Sequence, residues 1–157
     1  MMKLKIVLLT FVIFIFLHKN TYATFSIDTD LARVDFGLMS SGDVKDNVPW
    51  QGVTVKCTSD QGNPWDLRIR MDSPFTHENN PSSIIANDRF WWYGANTTGL
   101  GTLITSQSDF SVERIVYQAP MGEGTAGINV GIRFKLAVPP NAQSGRYAAT
   151  IILTMIE

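Results

Sequence analysis

The chain has 157 residues, 45% of them hydrophobic, and its 13 basic and 14 acidic side chains give a formal net charge of −1. This length suits one domain with a sizeable buried core. The balanced charge argues against a nucleic-acid partner, because neutralising phosphates needs clustered lysine and arginine, and the single cysteine, Cys57, excludes an intrachain disulfide.

The first 23 residues have the three-part pattern of a secretory signal peptide. Lys3 and Lys5 form a basic start, residues 6–17 are almost wholly apolar, and the small residue Ala23 ends the segment. The apolar run is shorter than the ~20 residues that cross a bilayer. We therefore predict cleavage after Ala23 and export to the periplasm, the cell surface or the medium, which leaves residues 24–157 as one mature domain.

Alternation of apolar and polar side chains predicts strands along the mature domain. In chain order, the alternating sets are Val53, Val55 and Cys57; residues 65–72; residues 110–117, with Phe110, Val112 and Val116 apolar; residues 127–138; and residues 146–156. A period of two places each apolar set on one face of a strand. Turn clusters rich in glycine, proline, asparagine and aspartate separate these strands, and no helical period appears. The pattern favours an all-β antiparallel sandwich.

Four consecutive aromatic residues, Phe90-Trp91-Trp92-Tyr93, stand out in the middle of the chain. In a strand, either Phe90 and Trp92 or Trp91 and Tyr93 enter the core, and the other pair faces outward. The outward pair is either covered by the following loop or exposed. An exposed platform drawn from Trp91, Trp92 and Tyr93 would stack on sugar rings or anchor a protein interface.

No set of residues predicts catalysis, a metal site or a cofactor. His77, the only histidine after the signal segment, falls in a polar loop and is expected to be solvated. Cys57 is in phase with a strand's apolar face, which favours a buried thiol over a disulfide to another chain. Asp28, Asp30 and Asp35 lack the glycine and distal glutamate of a calcium loop, so we expect solvated carboxylates. We therefore do not expect an enzyme.

Two segments carry a family resemblance. Residues 34–37 read Val-Asp-Phe-Gly and are followed by Gly-Val-Thr-Val-Lys-Cys-Thr at 52–58, while residues 138–155 run from a Pro-Pro turn through Gly-Arg-Tyr into a final Thr-containing strand. This order resembles the spore coat protein U-like domains, which include pilin subunits of archaic chaperone–usher pili. The resemblance spans most of the mature chain.

The resemblance implies an immunoglobulin-like sandwich whose last strand is missing. Such a chain is a structural subunit of a fimbrium or cell-adhesion surface, completed by a neighbouring subunit's strand and protected beforehand by a periplasmic chaperone. The candidate residues of the partner groove are Phe134 and Leu136, from one edge strand, and Tyr147, Ile151 and Leu153, from the last strand.

The sequence departs from this family at two points and leaves alternatives open. Residues 24–35 contain no cysteine to pair with Cys57. They are also the only segment available as a donor strand, and there the alternation of Phe25, Ile27 and Leu31 is weak and is interrupted by charged residues, Asp28, Asp30 and Arg33. These departures leave two alternatives. The chain is a terminal or accessory subunit, or it is a complete sandwich that uses residues 24–36 as its own first strand. The alternative function is a self-contained carbohydrate-binding module that uses the aromatic platform.

Overall fold

The computed structural model describes residues 24–46 and 52–157, so the predicted signal peptide lies outside the described residues. In chain order the strands are β1 Phe25–Thr29, β2 Val44–Asp46, β3 Gly52–Ser59, β4 Trp65–Met71, β5 Phe75–His77, β6 Asn80–Ile85, β7 Phe90–Thr97, β8 Thr102–Leu103, β9 Ser108–Asp109, β10 Arg114–Ala119, β11 Ile128–Ala137, β12 Tyr147–Ala148 and β13 Ile151–Ile156. One short 3₁₀ turn, Asn87–Arg89, precedes β7. Within the described residues, no helix is long and apolar enough to cross a membrane.

These strands form antiparallel sheets packed face to face, which confirms the predicted all-β sandwich. The largest sheet has the order β1-β3-β11-β7-β9, and β2 also pairs with β11. The second sheet has the order β13-β4-β10-β8, and a small third sheet has the order β12-β5-β6. The buried core is built from inward residues such as Val55, Trp65, Leu67, Trp92 and Ile132.

The alternation in β4 and β11 produces strands where the sequence predicted them. In β4, Trp65, Leu67, Ile69 and Met71 are buried, while the residues between them are half-exposed. Strand β11 is central and not at an edge: β7 pairs along one side, and β3 and then β2 pair along the other. The prediction that Phe134 and Leu136 belong to an edge strand is therefore wrong, since both lie buried in the middle of the sheet.

Two predicted strands have different bounds in the structure. β10 begins at Arg114, and Val112, predicted to face the core, is 52% exposed. A register shift between Ile115 and Tyr117 in the pairing with β4 lets Val116 and Tyr117 both enter the core. Such a bulge breaks the strict period of two that the prediction assumed.

The predicted final strand at 146–156 is two strands in different sheets. Tyr147 and Ala148 of β12 pair with β5, whereas β13 pairs with β4 from Ile151 onward. The backbone crosses between the sheets at Thr150, whose carbonyl accepts the Asp72 N–H at 2.9 Å. Alternation continues through this crossing, so the side-chain pattern alone did not reveal it.

Candidate functional site

The sandwich has one open side, where the edge strands of its two main sheets face each other. β1 is hydrogen-bonded only to β3, and β13 only to β4. Between them lies a cavity of about 310 Å³, which we call the edge groove. Its apolar lining consists of Leu31, Val34, Phe36, Met39, Val53, Phe75, Phe90, Phe134, Tyr147, Ile151 and Leu153. No strand of the described chain pairs with the free edges of β1 and β13, and these two strands approach within 8 Å of each other, Cα to Cα, over part of their length.

Side chains that point into the sandwich from β13 remain partly exposed. Leu153 and Met155 are half-buried, whereas their cross-strand partners Ile69 and Leu67 in β4 are fully buried. Opposite residues of an antiparallel pair point to the same face of a sheet, so these four share the core face. The difference in burial therefore comes from missing cover at the β13 edge.

The β1 edge has the same deficit of cover. Ile27 lies opposite Cys57 and so points toward the core, yet Ile27 is 37% exposed while Cys57 is fully buried. Leu31, which follows β1 and lines the edge groove, is 44% exposed. Ile27 at the β1 edge and Leu31 in the groove wall thus present apolar side chains to solvent.

The floor of the edge groove is a packed aromatic cluster. Phe75 meets Phe90 edge to face with 4.7 Å between ring centroids, and Phe90 stacks on Phe134 at 5.5 Å. Phe36 packs edge-on against both Phe75 and Phe90, at 6.1 and 5.8 Å. Edge-to-face and offset-stacked contacts are the preferred arrangements of aromatic rings, so the floor holds its shape while the walls stay open.

The rim of the groove is ionic at one end. Arg146 lies 3.3 Å from Asp35, and Arg33 lies 3.4 Å from Glu78. The Gly37 N–H donates to Asp35 at 2.7 Å, and this bond, together with the Arg146 guanidinium, lowers the pKa of the Asp35 carboxyl. A charged rim beside an apolar floor favours an occupant that is apolar on one face and polar on the other.

Four of the five residues predicted for a partner groove line the edge groove: Phe134, Tyr147, Ile151 and Leu153. Leu136 is not among them, because it is fully buried beside β2. Sequence reasoning missed the wall and floor residues Leu31, Val34, Met39 and Phe75. They come from irregular segments or a three-residue strand. Val34 and Phe36 had been named only in a family motif and Leu31 only in a possible donor segment, and none of them was assigned to the groove.

His77 is buried, so the expectation that it is a solvated loop residue is wrong. It ends β5, its Nδ1 accepts the Asn79 N–H at 3.1 Å, and its Nε2 lies 3.3 Å from the Ser144 carbonyl oxygen. With Nδ1 accepting, Nε2 carries the proton and donates to Ser144. The ring also packs edge to face on Tyr147 at 5.0 Å. These contacts give His77 a structural role beside the groove.

The aromatic run of β7 sends Phe90 and Trp92 into the core. Trp92 is fully buried and so cannot belong to an exposed platform, which corrects that part of the prediction. Trp91 and Tyr93 are half-buried on the outer face. Their cross-strand neighbours in β11 are Lys135 for Trp91 and Arg133 for Tyr93.

The remaining candidate groups are the Cys57 thiol and three aspartates near the start of the described chain. Cys57 is a buried free thiol, as predicted, and burial raises its pKa to about 12, which keeps it neutral near pH 7. Asp28, Asp30 and Asp35 are exposed, as expected. Among residues 24–46 and 52–157, no cluster of histidine, cysteine, aspartate and glutamate could hold a metal ion.

Comparison with known proteins finds no matching family model, no matching curated protein and no matching solved structure. The inference of function therefore depends on the geometry of the edge groove. An apolar groove lies between two unpaired strand edges, over an aromatic floor.

Proposed function

We propose that this protein is an exported, pilin-like subunit of a surface structure that binds a β-strand from another polypeptide. On this proposal the sandwich is immunoglobulin-like and lacks its final strand, and the partner strand occupies the edge groove. The observation that carries the proposal is the partial exposure of apolar side chains at both edges: Ile27 on β1, Leu31 just after it, and Ile151 and Leu153 on β13.

A β-strand suits this groove better than a small molecule does. The outer edge of β13 offers main-chain N–H and C=O groups along six residues, and an added strand would pair with them while its alternate side chains cover Ile151 and Leu153. Burying a fully exposed large apolar side chain contributes about 1.5–3 kcal/mol, and these side chains, which are already half-buried, contribute a part of that. Several such side chains give a specific complex without any chemical step.

The open groove also implies a second kind of partner. An exposed strand edge with apolar neighbours promotes pairing with other unfolded or edge-exposed chains. A subunit in transit to the surface therefore needs temporary cover, and a periplasmic chaperone that lends a strand would supply it. On this reading the protein acts through binding alone, and neither catalysis nor a cofactor enters its role.

Binding of a labelled peptide tests the proposal. The probe is a peptide of about ten residues in which valine alternates with threonine, and fluorescence anisotropy measures its binding to the purified, exported protein. We expect saturable binding by one peptide per chain. Leu153→Asp should abolish binding, because it places a carboxylate in the groove wall.

The matched control is Thr154→Asp, since Thr154 lies opposite Arg68 and points to the other face of the sheet. It should bind as the unchanged protein does. Circular dichroism shows whether both variants stay folded, and the milder Leu153→Thr should weaken binding if Leu153→Asp unfolds. Equal binding by all the groove variants would contradict the proposal.

A second candidate function is carbohydrate binding on the outer face of β7. Trp91 and Tyr93 lie two residues apart on that face and are both partly exposed, so they present two rings side by side. Soluble oligosaccharides should then change the tryptophan fluorescence, and Trp91→Ala should remove the response. Leu100→Ala, at an exposed apolar loop residue, is the control that should retain it.

A further inference from the structure

The start of β1 is fastened to the loop that follows β3. The Thr24 nitrogen donates to Asp60 Oδ1 at 2.5 Å, and the Asp60 N–H donates to the Thr24 carbonyl oxygen at 3.1 Å. Cleavage after Ala23, which the sequence predicts, would turn this nitrogen into an α-ammonium group in the same place. The hydrogen bond to Asp60 would then be charge-assisted, which roughly doubles the strength of such a bond.

The residues after Thr24 are bound to the same chain without a break. β1 pairs with β3 from Phe25 to Thr29. Beyond it, the Asp30 N–H donates to the Thr54 carbonyl oxygen at 3.0 Å, and the Thr54 N–H donates to the Asp30 carboxylate at 2.7 Å. Farther along, Asp35 pairs with Arg146, and Phe36 packs on the aromatic floor. The segment 24–37 is thus part of its own domain throughout.

The same segment has the wrong pattern to fill a second copy's groove. Along β1 the inward positions are Phe25, Ile27 and Thr29, and the same alternation in the sequence continues to Leu31 and Arg33. A strand buried on one face needs every inward position to be apolar, and Arg33 instead lies at the rim, paired with Glu78 at 3.4 Å. Donation would bury this guanidinium and also break the β1–β3 pairing.

We infer that this subunit accepts a strand but donates none, so that it forms one end of any assembly it joins. The inference rests on the proposed function. A head-to-tail polymer grows when each chain both gives and receives a contact, and a chain that only receives leaves no site for extension on one side. Its partner is a polypeptide with an extended segment in which apolar residues alternate without interruption.

The test compares the exported protein with a variant that carries an added donor. The variant has about ten residues of alternating valine and threonine inserted between Ala23 and Thr24. N-terminal sequencing of the unchanged protein should begin at Thr24. Native electrophoresis should show a ladder of oligomers for the extended variant and none for the unchanged protein, and increasing amounts of the unchanged protein should shorten the ladder in mixtures.

The outcomes separate this inference from the proposed function. A ladder formed by the unchanged protein and removed by Leu153→Asp would show that residues 24–37 do donate, which overturns the inference and leaves the groove's function intact. Failure of both the ladder of the extended variant and the binding of the valine–threonine peptide would overturn the acceptor groove itself. A first residue other than Thr24, lying farther upstream, would also overturn the inference.

Discussion

Tyr117 organises the end of the sandwich opposite the Pro-Pro turn. Its hydroxyl donates to Glu123 Oε2 at 2.6 Å and accepts the Gly101 N–H at 2.6 Å, while the Glu123 carbonyl oxygen accepts the Trp65 indole N–H at 2.9 Å. Burial, followed by the bond to Glu123, raises the pKa of Tyr117 to about 12. This network lies at one end of the core. Substitutions of its members should therefore lower the free energy of unfolding more than other single substitutions at that end.

Tyr117→Phe should lower the free energy of unfolding by about 1–3 kcal/mol, because it leaves the Gly101 N–H and the Glu123 carboxylate without their shared partner. Glu123→Gln should cost less, since the amide oxygen can still accept a hydrogen bond. Urea denaturation of both single variants and the double variant gives the coupling between them. A coupling near zero would contradict the network.

Stability should fall at alkaline pH because of two buried groups. The pKa of Cys57 rises from 9.0 to about 12 on folding and that of Tyr117 from 10.0 to about 12. Above pH 9 for Cys57 and above pH 10 for Tyr117, up to about pH 12, the unfolded chain therefore releases a proton that the folded chain retains, which favours unfolding. The free energy of unfolding should drop by about 1.4 kcal/mol per pH unit for each such group.

Urea denaturation from pH 8 up to about pH 12, the pKa of Cys57 in the folded chain, measures this decrease in the free energy of unfolding. The double variant Cys57→Ala, Tyr117→Phe is the control and should show a flatter profile, although its stability near neutral pH is lower. An equally steep decline in the double variant would assign the effect to other groups.

At the scale of elements, the turn before β12 connects Met39, which lines the edge groove, to the third sheet. Met39 and Gly145 exchange two main-chain hydrogen bonds, each 2.9 Å long. Gly145 has φ +156°, and a Cβ there would collide with His77 Nε2. This close approach of backbone to ring holds the β12 end of the edge groove in place.

Gly145→Ala should therefore destabilise the fold by more than about 3 kcal/mol, since it combines backbone strain with a collision against a buried ring. Gly62→Ala is the matched control: Gly62 has φ +82°, but a Cβ there meets nothing within 4 Å. Its cost should be about 1–2 kcal/mol, from strain alone. Similar thermal midpoints for the two variants would contradict the packing of His77 against Gly145.

The elements that sequence reasoning could predict are those in which one face is buried along the whole strand. β3, β4 and β11 are of this kind, because inward and outward residues differ in burial at every step of β3 and β4 and, apart from Gly131, along β11. The bulge in β10 and the crossing at Thr150 depend on which strand lies alongside, and no local pattern records that choice. Phe134 and Ile151 could be placed in a groove by resemblance, whereas Leu31 and Met39 reach it through irregular backbone.

At the scale of the whole molecule, the edge groove lies where β1 and β13, edge strands of the two main sheets, face each other. At the other edges of these sheets, formed by β9 and β8, Phe110 and Tyr117 are buried. The groove side instead leaves Ile27 and Leu31 exposed. Stability should therefore depend on whether a strand occupies the groove.

Thermal unfolding of a protein that comprises residues 24–157, with and without the valine–threonine peptide, tests the open groove most directly. Without peptide we expect a broad transition, and with peptide a sharper transition at a higher temperature, with a gain of about 2.7 kcal/mol at a hundredfold excess over the dissociation constant. Leu153→Asp should not respond. A sharp, reversible transition of a monomer that the peptide leaves unchanged would mean that the sandwich is already complete, and it would contradict the strand-accepting function.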